Sequence, residues 1–167
     1  MIQKDMTEKE ALAKLTALCA RGEHSTGEMI DKLNRWGMTD EAAQARIMAY
    51  LTQQRYVDDE RFTRAFVRDK IAYNKWGRRK IEQALWAKGI DKATQTKILD
   101  EIDDSEYLSV LRPLLQAKQR TLRADSDYEA RGKLVRYALQ RGFTFDIISQ
   151  CIDDAEDYEA DDTNEEG

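Results

Sequence analysis

Ile81-Glu82-Gln83-Ala84-Leu85-Trp86-Ala87-Lys88-Gly89-Ile90 decides the reading of the whole chain, because its pattern returns twice. Met29-Ile30-Asp31-Lys32-Leu33-Asn34-Arg35-Trp36-Gly37-Met38 lies 52 residues earlier, and Leu134-Val135-Arg136-Tyr137-Ala138-Leu139-Gln140-Arg141-Gly142-Phe143 lies 53 residues later. Aligned on Gly37, Gly89 and Gly142, the three stretches share an apolar residue eight positions before the glycine (Met29, Ile81, Leu134). They share another four before it (Leu33, Leu85, Ala138) and a third just after it (Met38, Ile90, Phe143). A four-residue offset keeps side chains on one helical face. Glycine takes the left-handed conformation without a Cβ clash, so each stretch predicts a helix capped by its glycine. The apolar residue that follows can fold back on the last turn.

Helices are expected on both sides of each capped helix. After the glycines, Thr39 or Asp40, Asp91 and Thr144 are N-cap residues. Apolar positions then recur at Ile47 and Tyr50, at Ile98, Leu99 and Ile102, and at Ile148 and Ile152. Before the capped helices, Thr7 with Glu10 forms a capping box that opens a helix to Ala20, with Leu12, Leu15, Leu18 and Cys19 inward. Ser25 with Glu28 forms a second such box. A helix from Asp58 to about Asn74 is expected to turn Phe62, Ala65, Phe66 and Tyr73 inward. Another starts near Asp103 or Asp104 with Tyr107, Leu108, Leu111 and Leu115, and Pro113 should kink it or end its regular part.

The expectation is therefore an all-α fold: nine helices in an elongated tandem array of three three-helix repeats. A flexible start (1–6) precedes repeats at 7–57, 58–103 and 104–157, and an acidic disordered tail (158–167) follows them. Units of about 50 residues bury little core alone, and stacking neighbours adds to it. Composition agrees: one proline, eight glycines, 35% charged residues and a mean hydropathy of −0.74. No alternation at strand period occurs.

The formal charge of −5 conceals two opposed regions. Nine acids and no base follow Ile152, which leaves a body of 27 bases against 23 acids. Arg61 to Lys92 holds ten bases and three acids. A basic body with an acidic tail suits nucleic-acid or nucleoprotein partners, and a merely solvated surface is the alternative. Arg61, Arg64 and Arg68 share one helical face. Lys75, Arg78, Arg79 and Lys80 cluster at the next helix start, where cations gain nothing from the helix dipole and so are expected to face a partner. Arg131, Lys133, Arg136 and Arg141 form a further basic set. Trp36, Trp76 and Trp86 are candidates for base stacking, although Trp36 and Trp86 precede cap glycines, where packing between helices is the alternative.

Catalysis finds little support. Asp58 and Asp59 sit at a helix start, where one caps backbone donors and the other complements the dipole. His24 is the only histidine and lies in a polar turn. No P-loop, dinucleotide-binding glycine pattern or zinc-ligand spacing is present, so neither cofactor nor metal is expected. Cys19 and Cys151 are read as buried thiols. The polar N-terminus is unlike a signal peptide, and no apolar run approaches the ~20 residues of a spanning helix. A cytoplasmic monomer is expected.

Tyr56-Val57-Asp58-Asp59-Glu60-Arg61-Phe62, then Trp76-Gly77-Arg78-Arg79-Lys80-Ile81, then Leu85 and Lys88-Gly89-Ile90 resemble the signature of the RecX family. The likeness runs from about Thr7 to Asp154. The resemblance implies a non-enzymatic regulator of the RecA recombinase. Such a protein lies along the RecA–DNA filament and inhibits strand exchange, ATP hydrolysis and co-protease activity, and so acts on DNA repair and the SOS response. Direct binding to nucleic acid without RecA is the alternative reading.

Overall fold

The computed structural model describes residues 6–155 and 158. The predicted flexible start and acidic tail fall mainly outside these residues. Nine α-helices occur among the described residues: α1 (Glu8–Arg21), α2 (Thr26–Arg35), α3 (Glu41–Gln53), α4 (Asp59–Asp69), α5 (Arg78–Ala87), α6 (Lys92–Leu99), α7 (Asp104–Thr121), α8 (Asp127–Gln140) and α9 (Phe145–Ser149). A π-helical stretch, Lys70–Asn74, prolongs α4. No strand occurs among the described residues.

The three glycines end their helices as the repeat predicts. Gly37, Gly89 and Gly142 have φ of 81°, 77° and 91°, in the left-handed region that a side chain disfavours. The amide after each donates back to the carbonyl five residues earlier: Met38 to Leu33 (2.9 Å), Ile90 to Leu85 (3.1 Å) and Phe143 to Ala138 (3.2 Å). This is the long bond of a Schellman cap, made three times.

The described residues form two compact units, one of residues 6–66 and 85–98, the other of 67–84, 99–155 and 158. In the first, Ala11, Leu15, Met29, Leu33, Ile47, Leu51 and Val57 form a buried cluster, with Leu12, Leu18, Cys19 and Trp36 packed against it. Ser25 joins elements within this unit. Its buried Oγ accepts the Glu28 amide (3.1 Å) and donates to the Lys88 carbonyl (2.8 Å), while Glu28 Oε1 accepts the Ser25 amide (3.2 Å). Ser25→Ala removes the cap and the long-range bond together. We expect it to lower unfolding stability by about 2 kcal/mol in urea titration, combining a lost N-cap and one net hydrogen bond.

Glycines also form the joints between successive three-helix segments. A methyl on Gly27 would stand 2.4 Å from the Lys88 carbonyl oxygen and 3.0 Å from Gly89 Cα, inside the first unit. In the second unit, a methyl on Gly77 would stand 2.3 Å from the Phe143 nitrogen and 2.4 Å from the Gly142 carbonyl carbon. Main-chain bonds fasten that joint: the Gly77 amide donates to the Arg141 carbonyl (2.8 Å), and the Arg79 amide donates to the Gly142 carbonyl (3.0 Å). The second unit buries Tyr107, Leu108, Leu111, Leu134, Val135, Ala138, Phe143 and Ile148, with Tyr107 edge-on to Phe143.

One expectation needs correction, and of the two outcomes expected at Pro113 one is removed. Val67 and Ile71 take the inward positions of α4 and its extension, whereas Tyr73 is 81% exposed and Ala65 is also exposed. Tyr73 lies two residues beyond Ile71, which puts it on the opposite side of the helix. Pro113 does not end its helix: α7 runs through it for 18 residues. Pro113 lies on the exposed face, where a carbonyl left without its helical donor is open to solvent rather than buried, and Leu111 and Leu115 hold the helix from its buried side.

Tyr107 is 4% exposed, and its hydroxyl has no partner among the described residues. Burial pushes its pKa up to about 12, from an ordinary value of 10. Its folded-state pKa is the higher one, so its contribution to stability is complete below pH 10 and is lost as pH rises towards about 12. Tyr107→Phe should raise stability by roughly 1 kcal/mol at neutral pH. It should also reduce the loss between pH 7 and pH 11 in thermal melts.

Candidate functional site

The helix-start acids have structural partners. Asp58 Oδ1 accepts the Arg61 amide (3.1 Å) as a cap, and Asp59 Oδ1 accepts the Thr26 amide (2.8 Å), tying α4 to the start of α2. Phe62 is buried and stacks on Phe66 with centroids 5.7 Å apart. His24 lies 3.8 Å from Glu28. Burial pushes the thiols of Cys19 and Cys151 up, away from thiolate character. Among the described residues no group of three or more His, Cys, Asp or Glu is placed to hold a metal ion. No helix among them is long and apolar enough to cross a membrane.

The bases of α4 divide. Arg61 turns inward along the chain: its Nε donates to Glu23 Oε1 (2.6 Å), and its Nη2 donates to the Arg55 carbonyl (3.0 Å). Arg64 lies 3.8 Å from Glu60, a carboxylate that Lys97 approaches to 2.7 Å. Arg68 is exposed and has no ion-pair partner among the described residues.

The cluster at the start of α5 divides in the same way. Arg78 contacts Glu82 (2.8 Å) and Asp100 (2.9 Å). Burial pulls its pKa down, but these two carboxylates outweigh burial and hold it above the usual arginine range. The expectation that Arg78-Arg79-Lys80 all face outward is therefore corrected for Arg78, whose charge is neutralised internally. Lys80 and Lys70 place their ammonium groups over the Trp76 ring, at 4.9 and 5.0 Å, so Trp76 is occupied by cations. Lys75 and Arg79 are exposed and have no ion-pair partner among the described residues. Lys75 also ends the π-helical stretch with φ 58°.

The tryptophans fall into three environments. Trp36 packs on the first unit's core with Lys14 above its ring at 5.3 Å. Trp76 carries the two lysines. Trp86 is 78% exposed on α5, contrary to the packing role its position before Gly89 suggests. Arg79 and Gln83, seven and three residues before it, are exposed on the same stripe of α5. Trp36 stands one residue before its cap glycine and Trp86 three residues before Gly89, an offset of two that turns the two rings to roughly opposite sides of their helices.

In α8, Arg131 is exposed, and Lys133 Nζ contacts Glu129 (3.2 Å) and the Arg123 carbonyl (2.8 Å). Arg141 leaves the basic set: its guanidinium donates to the carbonyls of Lys75 (3.1 Å) and Asn74 (2.6 Å). Lys133 and Arg136 line a hollow shared with Lys118 and Arg123. Those last two were missed in the sequence because one ends α7 and the other stands in the connecting loop.

Three-helix segments joined through glycine caps, with cations displayed on α4, α5 and α8, define an all-helical repeat protein. A family model described as the second three-helix domain of RecX matches residues 58–99, and one described as the third matches residues 104–152. The chain belongs to the RecX family of regulatory proteins. It is 32% identical to regulatory protein RecX of Acinetobacter baylyi over 81% of this chain and 82% of that one. It is 33% identical to the Clostridium botulinum protein of the same name over 77% of this chain, but spans only 60% of that relative's length. The crystal structure of RecX from Lactobacillus salivarius shares its fold with a TM-score of 0.81 at 21% identity, covering 89% of this chain and 96% of that one.

Proposed function

We propose that this protein is a negative regulator of the RecA recombinase. It binds along the RecA–DNA filament in the cytoplasm and inhibits its recombinase, ATPase and co-protease activities, and thereby acts on DNA repair and the SOS response. Family membership supports the regulatory role. The observation that carries the binding reading is the set of cations left unpaired on exposed faces, Arg68, Lys75 and Arg79, next to others already neutralised within the fold. An unpaired surface cation keeps its full attraction for an acidic protein surface or a phosphate. Contacts repeated along a polymer add as avidity, so inhibition follows from occupancy without turnover.

Direct DNA binding without RecA is the second reading, favoured by the basic hollow beside α8. The test is inhibition of RecA ATP hydrolysis on single-stranded DNA. We expect wild-type protein to inhibit, and Arg68→Glu/Arg79→Glu to require at least tenfold more protein, about 1.4 kcal/mol, with helicity retained by circular dichroism. Equal inhibition by both proteins would remove these two residues from the interface. No inhibition by the wild type would remove the function itself.

A further inference from the structure

Within the second unit, the starts of α5, α7 and α9 surround a cavity of about 310 Å³. Ile102, Phe143 and Ile147 give it apolar walls, and Arg78, Asp104, Tyr107, Thr144 and Asp146 give it polar groups. Tyr107 is the informative member. It is 4% exposed, and its hydroxyl has no partner among the described residues. A buried hydroxyl without a partner costs stability that a phenylalanine would not. After burial itself, the charges of Arg78, Glu82, Glu106 and Asp104 bear on its ionisation, so the hydroxyl lies among the cavity's charged groups rather than in an apolar wall.

The rest of the lining selects the ligand's chemistry. Arg78 is the only base in it, and Glu82 and Asp100 already hold its guanidinium at 2.8 and 2.9 Å. Acceptors are in excess. Asp146 has no ion-pair partner among the described residues, Asp104 receives a 3.3 Å bond from Gln150, and the Thr144 hydroxyl makes no cap bond. Four carboxylates, those of Glu82, Asp100, Asp104 and Asp146, thus stand against one guanidinium. An anion is repelled there, and a cation that donates in several directions satisfies both the carboxylates and the buried hydroxyl. A guanidinium meets this need better than an ammonium, because its donors are fixed in a plane and it is less strongly hydrated. The apolar walls call for an aliphatic stem behind the charge.

We infer that this cavity is a binding site for a guanidinium group on an aliphatic stem, with the Tyr107 hydroxyl and the Asp146 carboxylate among its acceptors. An arginine side chain of a partner protein and a free guanidinium compound share this chemistry. The site is separate from the exposed cations of α4 and α5, and it stands or falls independently of RecA inhibition.

The experiment is an NMR titration of the isotope-labelled full chain, without RecA, read at the amides of Phe143, Thr144 and Ile147. The probes are agmatine and a blocked glycyl-arginyl-glycine peptide. At least one should give saturable shifts at millimolar concentration, and the same peptide with lysine for arginine should bind roughly fivefold more weakly than the arginine peptide where that one binds. Tyr107→Phe should weaken binding by roughly tenfold, the loss of a hydrogen bond to a charged group, while its thermal midpoint equals or exceeds that of the wild type. That pairing separates a binding role from a structural one, since a hydroxyl bonded within the fold would lower both. Asp146→Asn, at an exposed position, should weaken binding by about fivefold with the fold intact. Binding of the peptide supports an arginine of a partner protein. Binding of agmatine alone supports a free compound, since the flanking main chain then bars entry. The proposal is overturned by the absence of saturable shifts with both probes, by wild-type affinity in Tyr107→Phe, or by acetate producing the same shifts as the cations.

Discussion

Gly77→Ala is expected to destabilise the protein by about 3 kcal/mol, at the upper end of what overpacking costs. The added methyl would meet main-chain atoms of Gly142 and Phe143 at 2.3 to 2.4 Å. No rotamer change relieves such a clash, because the obstructing atoms belong to the backbone. Relief requires separating α5 from the end of α8, which lengthens the Gly77–Arg141 and Arg79–Gly142 hydrogen bonds. Gly37→Ala is the comparison: Gly37 takes a left-handed φ of 81°, which Gly77 does not, and has nothing within 4 Å of the added methyl. It should lose only the backbone preference, about 1 kcal/mol. Urea denaturation of the two variants separates conformational strain from the packed joint. Equal losses would show that the joint adapts freely.

Trp86→Ala is expected to raise the concentration needed to inhibit RecA ATP hydrolysis by about 30-fold, the loss of a central aromatic contact worth roughly 2 kcal/mol. The ring is 78% exposed, so its removal should change unfolding stability by no more than about 0.5 kcal/mol. Those two numbers together make the test sharp. A core tryptophan would lose stability first, and an idle surface tryptophan would lose neither. Arg79 and Gln83 extend the same stripe of α5. A partner covering Trp86 would therefore meet a guanidinium and an amide beside an aromatic ring, a composition common at interface centres. Unchanged inhibition would move the contact away from this face of α5.

The features legible in the sequence were those enforced locally. Gly37, Gly89 and Gly142 announced themselves because a Schellman cap needs a left-handed residue followed by an apolar one, all within one turn. The capping box of Ser25 and Glu28 was legible for the same reason. What escaped depended on distant partners. Arg78 seemed free until Asp100, 22 residues on, came within 2.9 Å of it. Asp59 read as a dipole partner, yet it reaches Thr26 across 33 positions. Gly27 and Gly77 went unremarked because they stand at different offsets from their own caps, ten and twelve residues, although each faces the cap of the following segment. Trp36 and Trp86 both precede cap glycines, but by one and three residues, and they meet opposite environments.

The glycine joints bear on divergence. Their contacts run between main-chain atoms, and the chemistry they demand amounts to small residues in the right places. Side chains on the outer faces can drift in charge and size without disturbing how one segment seats on the next. A scaffold of this kind can retain its architecture at 21% identity while the surfaces it offers to a partner are rewritten lineage by lineage.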